Sequence, residues 1–266
     1  MLGTGAAMAT THYNTCFTIS SSDSTEHFLV DGGGGNGIIA QLQKTNISIG
    51  QIHNAFISHN HTDHLLGMVW IIRYIAQEVN KERYNGNFTL YGHPKSLNAL
   101  QVICSLVLQP RQAKLIGERI ILSPIEHNVE LDIDGRHFRF FNIWSKKELQ
   151  HGFTVQLRNG QKLAFLGDEP YNANNEEIIK GSDIIMQEAY CLYSEIDKFN
   201  PYPKSHGTVL DSCRNAQQLG AHTTILFHTE GRTPADMRKQ LYTAEGKIVF
   251  SGNLYVPNDL EVIELA

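Results

Sequence analysis

Cysteine is scarce and poorly placed for metal or disulfide work: Cys16, Cys104, Cys191 and Cys213 stand far apart and form no Cys-x-x-Cys pair. That spacing excludes a disulfide framework and a thiolate zinc knuckle, and predicts reduced, buried thiols in a cytoplasmic protein. Long apolar runs are missing too; each is interrupted well short of the roughly 20 residues needed to cross a bilayer. No charged-then-apolar leader opens the chain, so the expectation is a soluble protein without a membrane partner. Basic excess is also absent. Lys+Arg 22 against Asp+Glu 27, a net charge of −5, exerts no general pull on nucleic acid, which leaves RNA to a local patch if it binds at all. No proline-rich or serine-rich linker divides the 266 residues, so 1–266 reads as one domain with a proper core.

What the sequence does concentrate is histidine. Ser58-His59-Asn60-His61-Thr62-Asp63-His64 packs three imidazoles and a carboxylate into six consecutive positions. The apolar stretch Ile52 to Ile57 before it reads as a buried strand, and Leu65 to Ile72 after it as a helix start, which puts the cluster on a strand-to-helix loop. Residues i and i+2 leaving a strand end can aim donors at one point, as a metal site requires. The plainer reading, a polar loop rich in histidine, predicts no further ligands downstream.

Met1-Leu2-Gly3-Thr4-Gly5-Ala6-Ala7 reads as the end of a first strand entering a glycine turn. Such a strand ordinarily starts earlier, so the expectation is either a late-starting chain or a start assigned downstream of the true one. Asn14 to Ile19 and His27 to Asp31 read as the next strands, an all-β opening, with Asp31-Gly32-Gly33-Gly34-Gly35 as a turn. That glycine run lacks the Lys-Ser/Thr of a P-loop; Asp31 is instead a candidate partner for the histidine loop. Further strands are expected at Phe88–Gly92, Arg119–Ser123, Val129–Ile133, His137–Phe141, Phe153–Leu157, Lys162–Leu166, Asp183–Met186 and Thr223–Phe227. Helices are expected at Ser96–Leu108, Ala173–Lys180, Val209–Leu219 and Pro234–Thr243. Two sheets covered by helices on their outer faces account for this order.

Three later positions suit the cluster. Asp168 follows an apolar strand, His228 ends another, and His206 precedes a helix. Singly each has an ordinary explanation: a helix cap, a satisfied core histidine and a loop histidine. Together with Leu2-Gly3-Thr4-Gly5, the Asp31 turn, Gln187-Glu188-Ala189 and Ser205-His206-Gly207-Thr208, they make the chain resemble the metallo-β-lactamase superfamily, tRNase Z-like branch, over nearly its whole length. The resemblance implies an αββα sandwich with up to two metals, zinc or manganese, at the sheet ends. By that pattern His59 and His61 hold one metal, Asp63, His64 and His228 the other, and Asp168 bridges them. It further implies Glu188 orienting His206 as general acid, and a homodimer.

Departures from the pattern matter equally. One more ligand histidine is expected shortly upstream of Gly152-Phe153, where this chain has Trp144-Ser145-Lys146-Lys147. His151 is a possible substitute, although it sits directly beside the glycine. Lys146 or Lys147 could replace the lost charge, the alternative being a solvated strand end. The arm that grips tRNA in this branch would fall between Phe153 and Gly167, where only a tight turn with Asn159-Gly160 fits. The expected chemistry is phosphodiester hydrolysis of a small molecule or RNA, in which a bound cation lowers the pKa of water toward roughly 7. Asp63 would orient the nucleophile, and His206 would protonate the leaving alkoxide. A lactone or thioester hydrolase on the same site, or a non-catalytic binding or sensing relative, are the alternatives. His12, His27, His53, His93, His127, His137 and His222 match no motif and read as structural or surface residues.

Overall fold

Short apolar strands, alternating in the antiparallel part and buried on both faces in the parallel part, build two sheets, and the computed structural model, which describes residues 1–265, stacks them face to face. One sheet has five strands in the order β1-β2-β3-β4-β5: β1 (Phe17–Ile19), β2 (Phe28–Val30), β3 (Asn54–Ile57), β4 (Phe88–Gly92) and β5 (Ile120–Pro124). The other has seven in the order β12-β11-β10-β9-β8-β7-β6: β6 (Val129–Ile133), β7 (Arg136–Asn142), β8 (His151–Gln156), β9 (Lys162–Phe165), β10 (Ile184–Glu188), β11 (Thr223–Phe227) and β12 (Asn253–Tyr255). Strands β6 to β9 are antiparallel and β9 to β12 parallel.

Phenylalanine fills the space between the sheets. Phe17, Phe28 and Phe56 of the first meet Phe138, Phe140, Phe153, Phe165 and Phe227 of the second. The Phe28 and Phe138 rings lie 4.6 Å apart, and Phe56 packs edge-on to Phe153 at 5.5 Å. Intervening residues face outward: Leu29, Ala55 and Ile57 join one outer core, and Ala164, Ile185 and Leu226 the other. Helices α1 (Gly37–Lys44), α2 (Thr62–Asn80) and α3 (Pro94–Val107) are linked with the first outer core. The one-turn helices α4 (Pro110–Ala113), α5 (Glu176–Ile179) and α6 (Ile196–Phe199) are followed by α7 (Val209–Gln218) and α8 (Ala235–Gly246), which contribute Val209, Cys213, Ala216 and Tyr242 to the second. This is the expected αββα sandwich.

Three local expectations need correction. Helix α2 begins at Thr62 rather than Leu65, so Asp63 and His64 occupy its first turn, where the helix dipole favours the Asp63 carboxylate. The segment 173–180 is a 3₁₀ turn, Ala173–Asn175, followed by the single turn of α5. Leu2 to Ala7 forms only isolated bridges at Gly3 and Gly5, and α1 follows the glycine turn unannounced by any capping side chain. All four cysteines are free and buried, as expected. Among the described residues no helix is long and apolar enough to cross a membrane.

Candidate metal centre

In parallel sheets the loops at the carboxyl ends of the strands gather at one edge. Here that edge receives Asp31 after β2, the histidine run after β3, Asp168 after β9, Glu188 at the end of β10 and His228 after β11. The glycine run is a docking device: Gly32 N–H donates to His64 O at 3.0 Å, and Gly67 N–H to Gly33 O at 2.8 Å. A Cβ on Gly67 would collide with Gly32 O, so this close approach of turn and helix needs glycine on both sides. The docking brings Asp31, at a left-handed φ of 57°, under the cluster. Asp31 accepts from Ser58 N–H at 2.8 Å, from Ser58 Oγ at 2.7 Å and from His64 Nδ1 at 2.8 Å. His64 is thereby fixed in the tautomer that leaves Nε2 as a free donor atom.

Around that nitrogen the predicted residues converge. His64 Nε2 lies 3.3 Å from Asp63 Oδ2 and 3.6 Å from Asp168 Oδ2, and His228 Nε2 lies 3.4 Å from both carboxylates. His59 Nε2 is 3.7 Å from Asp168 Oδ2 and 2.9 Å from His61 Nδ1. Asp63–His64–His228 and His59–His64–Asp168 each gather within 4.8 Å, as does Glu188–His206–His228. His64 Nε2 and Asp168 Oδ1 are buried without a hydrogen-bond partner. Such orphaned donors fit a divalent cation of the zinc type. Separations of 3.3 to 3.7 Å match the edge of about 3.3 Å between ligands bound at about 2.0 Å in a tetrahedron.

Electrostatics show how strongly the groups are coupled: burial disfavours charge on His64, but the Asp63 and Asp31 carboxylates outweigh it and raise the imidazole well above its ordinary range, so a cation at Nε2 takes the place of a proton. Burial alone would raise the Asp63 and Asp168 carboxyls, but the surrounding imidazoles outweigh it and hold both well below the ordinary carboxylate range. Burial pushes His59 well down, keeping it neutral and able to ligate.

Glu188 and His206 form the neighbouring pair. Glu188 Oε2 meets His206 Nδ1 at 3.2 Å, while Gly207 N–H donates to Oε1. His206 sits on a loop that enters α7 through a Thr208–Asp211 capping box, which is the predicted place just before a helix. Its ring stacks on Tyr190 at 4.9 Å and leans on His228 at 5.3 Å. Burial, then the Lys147 charge, brings His206 down to about 4, and burial pushes Glu188 well up.

His151 does not join the cluster. Its N–H donates to Ser58 O, its ring stacks on His93 at 5.2 Å, and Nδ1 is buried without a partner. With its ring against His93, it belongs to none of the three donor groups. Burial, followed by the nearby His93 and His127, lowers His151 from 6.5 to about 4. The folded state therefore keeps it neutral, and its contribution to stability, intact above pH 6.5, is lost as pH falls from 6.5 toward 4. A shift of this size corresponds to roughly 3 kcal/mol. Thermal melting of metal-free His151→Phe between pH 7.5 and 4.5 should show a shallower acid decline than wild type; equal slopes would reject this assignment.

Two residues escaped sequence reading, Glu169 and Tyr190, whereas Lys147 was singled out there without its partners. Glu169, beside Asp168, is buried and accepts from Ser145 Oγ at 2.6 Å; Lys147 Nζ lies 3.7 Å from it and 3.4 Å from His206 Nε2. Tyr190 carries no motif of its own, and only the stacking on His206 reveals it.

The fold and site define a member of the metallo-β-lactamase superfamily, tRNase Z-like branch. Across 98% of this chain and 93% of its own length, ribonuclease Z of Methanococcus aeolicus is 24% identical. Human tRNase Z, short form, superposes with a TM-score of 0.73 at 20% identity, covering 100% of this chain and 98% of its own. The metallo-beta-lactamase fold protein YhfI of Bacillus subtilis gives 0.76 at 14%, covering 97% and 95%. Within that class the chain belongs to the family of the anti-Pycsar protein Apyc1, whose model matches residues 1–204. The matched stretch holds the histidine run, Asp168 and Glu188; His206 and His228 lie beyond it.

Proposed function

We propose that this protein is a metal-dependent phosphodiesterase, a ribonuclease Z-like hydrolase that acts on small phosphodiesters or short RNA in the cytoplasm. The observation that carries the reading is Asp168 Oδ2, within 3.7 Å of His59, His64 and His228 and next to the Glu188–His206 pair. Zinc or manganese is the cation these nitrogen and oxygen donors suit, held by Asp63, His64, His228 and Asp168 and, on the other side, by His59 and His61. When bound it supplies a water of lowered pKa and offsets phosphate charge. Asp63 and Asp168 orient the nucleophile's side of the site. Burial opposes charge on both His206 and Glu188, so the pair shares one proton, which His206 passes to the departing alkoxide as negative charge develops there.

Substrate size follows from the other surfaces. Strands β8 and β9 are joined by a tight turn across Leu157–Gln161, leaving no arm for a folded tRNA. Behind Tyr190 lies a cavity of about 360 Å³ lined by three cations and one carboxylate, Glu230. There Lys204 Nζ stands 5.4 Å over the Tyr190 ring, Lys198 Nζ 4.6 Å over Phe199, and the Arg232 guanidinium 5.8 Å from Phe199. Aromatic faces flanked by cations suit a planar, anionic ligand such as a nucleotide phosphodiester. A homodimer belongs to the same proposal, checked by light scattering.

The deciding experiment is hydrolysis of bis(p-nitrophenyl) phosphate, a dinucleotide, precursor tRNA and a lactone by protein loaded with zinc or manganese. Chelator-sensitive turnover of the two small phosphodiesters, without lactone opening, is the expected result. Lactone opening without phosphodiester cleavage would overturn the reading.

A further inference from the structure

We propose that Lys147 is a second donor to the leaving oxygen, standing beside His206, and that Glu169 is the positioning residue that seats it there. The inference rests on the metal-dependent phosphodiesterase reading and adds a residue to its departing side. Most of the His206 imidazole is already engaged. Nδ1 meets Glu188 Oε2 at 3.2 Å, the ring stacks on Tyr190 at 4.9 Å, and it leans on His228 at 5.3 Å. The remaining nitrogen, Nε2, faces Lys147 Nζ at 3.4 Å. Two nitrogens at that separation can both donate to one oxygen placed about 2.8 Å from each.

The ammonium has donors to spare. Its carboxylate neighbour, Glu169 Oε1, lies 3.7 Å away, beyond hydrogen-bond length, and the Lys147 side chain is 27% exposed. Its backbone is nonetheless held. Glu169, 5% exposed, accepts from Ser145 Oγ at 2.6 Å and from Lys146 N–H at 3.4 Å. Ser145 Oγ accepts in turn from Lys147 N–H at 3.1 Å and from Glu148 N–H at 3.2 Å. One buried carboxylate thus roots residues 145 to 148, and its chain neighbour Asp168 belongs to the metal centre, so the latch is anchored to the same strand end.

Negative charge reaches this point only as the bond breaks. While hydroxide forms the new P–O bond, the electron pair of the old one goes to the leaving oxygen, and the His206 proton joins it there. Lys147 keeps its three protons. Its fixed charge opposes the negative charge on the leaving oxygen while the proton is in transit. An ammonium is a compact donor on a flexible stem, so its effect depends on being seated, which is the part Glu169 plays.

The test compares zinc-loaded proteins on a dinucleotide, which expels an alkoxide, and on bis(p-nitrophenyl) phosphate, which expels p-nitrophenolate. Elemental analysis and thermal melting accompany each variant. Lys147→Gln should lose roughly thirtyfold in kcat on the dinucleotide with KM within about twofold, and less than about threefold on bis(p-nitrophenyl) phosphate. Its zinc content should match wild type. Lys147→Arg keeps the charge and should stay within about fivefold of wild type on the dinucleotide. Glu169→Gln keeps an acceptor for Ser145 but discards the carboxylate charge, and should lose about fivefold with the same contrast between substrates. Lys147→Met repeats the comparison if Lys147→Gln melts early. Unchanged dinucleotide turnover in Lys147→Gln, equal losses on both substrates, or a loss confined to KM would overturn the inference and leave the phosphodiesterase reading intact. A wild type that cleaves neither substrate would remove the reading and the inference together.

Discussion

Asp168→Ala should reduce turnover of any phosphodiester substrate by roughly a thousandfold or more, with loss of the tightly held metal in the same preparation. The reason is positional. One oxygen of Asp168 lies 3.7, 3.6 and 3.4 Å from His59, His64 and His228, so its removal takes a ligand from both halves of the cluster. It also removes the buried negative charge that offsets the cation. Asp168→Asn keeps the shape and discards the charge; comparable losses in both variants would identify charge as the dominant contribution. Steady-state kinetics paired with elemental analysis checks this, and an Asp168→Ala protein with unchanged rate and metal content would refute the catalytic assignment.

The second large effect concerns proton transfer. His206→Ala should lower kcat by about a hundredfold or more for substrates that expel an alkoxide, while metal content stays at the wild-type level. Bis(p-nitrophenyl) phosphate expels p-nitrophenolate, which needs no proton, so the same variant should lose much less on it. That contrast separates a general acid from a residue that merely supports the loop, because misfolding would depress both substrates equally. Glu188→Gln keeps the hydrogen bond to His206 but gives up the carboxylate that shares its proton. It should fall between wild type and His206→Ala on the alkoxide substrate, with KM little changed. Equal losses on both leaving groups would sink the acid role.

Much of the architecture was legible because it follows from local chemistry. Alternating apolar residues in 137–141 and 153–157, and the continuous apolar run Ile225–Phe227, mark strands wherever they fall, and the elements found there differ by a residue or two. The histidine run was legible for a similar reason: donors spaced at i and i+2 after a strand end converge without help from distant parts of the chain. What misled at this point was the helix boundary, since Thr62, Asp63 and His64 carry no apolar periodicity, yet the first turn of α2 forms through them. Helix α1 went unseen because its start is a glycine run chosen for close packing on α2 rather than for capping.

The sequence alone determined two helix-covered sheets and a run of candidate cation ligands, because these depend on residue type, order and short-range spacing; the αββα class and the missing imidazole near Gly152 were visible only against the family resemblance. Tertiary structure decided which donors meet. Asp31 reaches His64 only because Gly32 and Gly67 let the turn dock on α2, and His151 is excluded only because β8 places its ring against His93. Lys147 and Glu169, separated by 22 positions, become neighbours of His206 only when the loop after β7 folds over the end of β9. Charge acts through space and not along the chain, so which groups shift one another at this site is set by distances that no sequence spacing records.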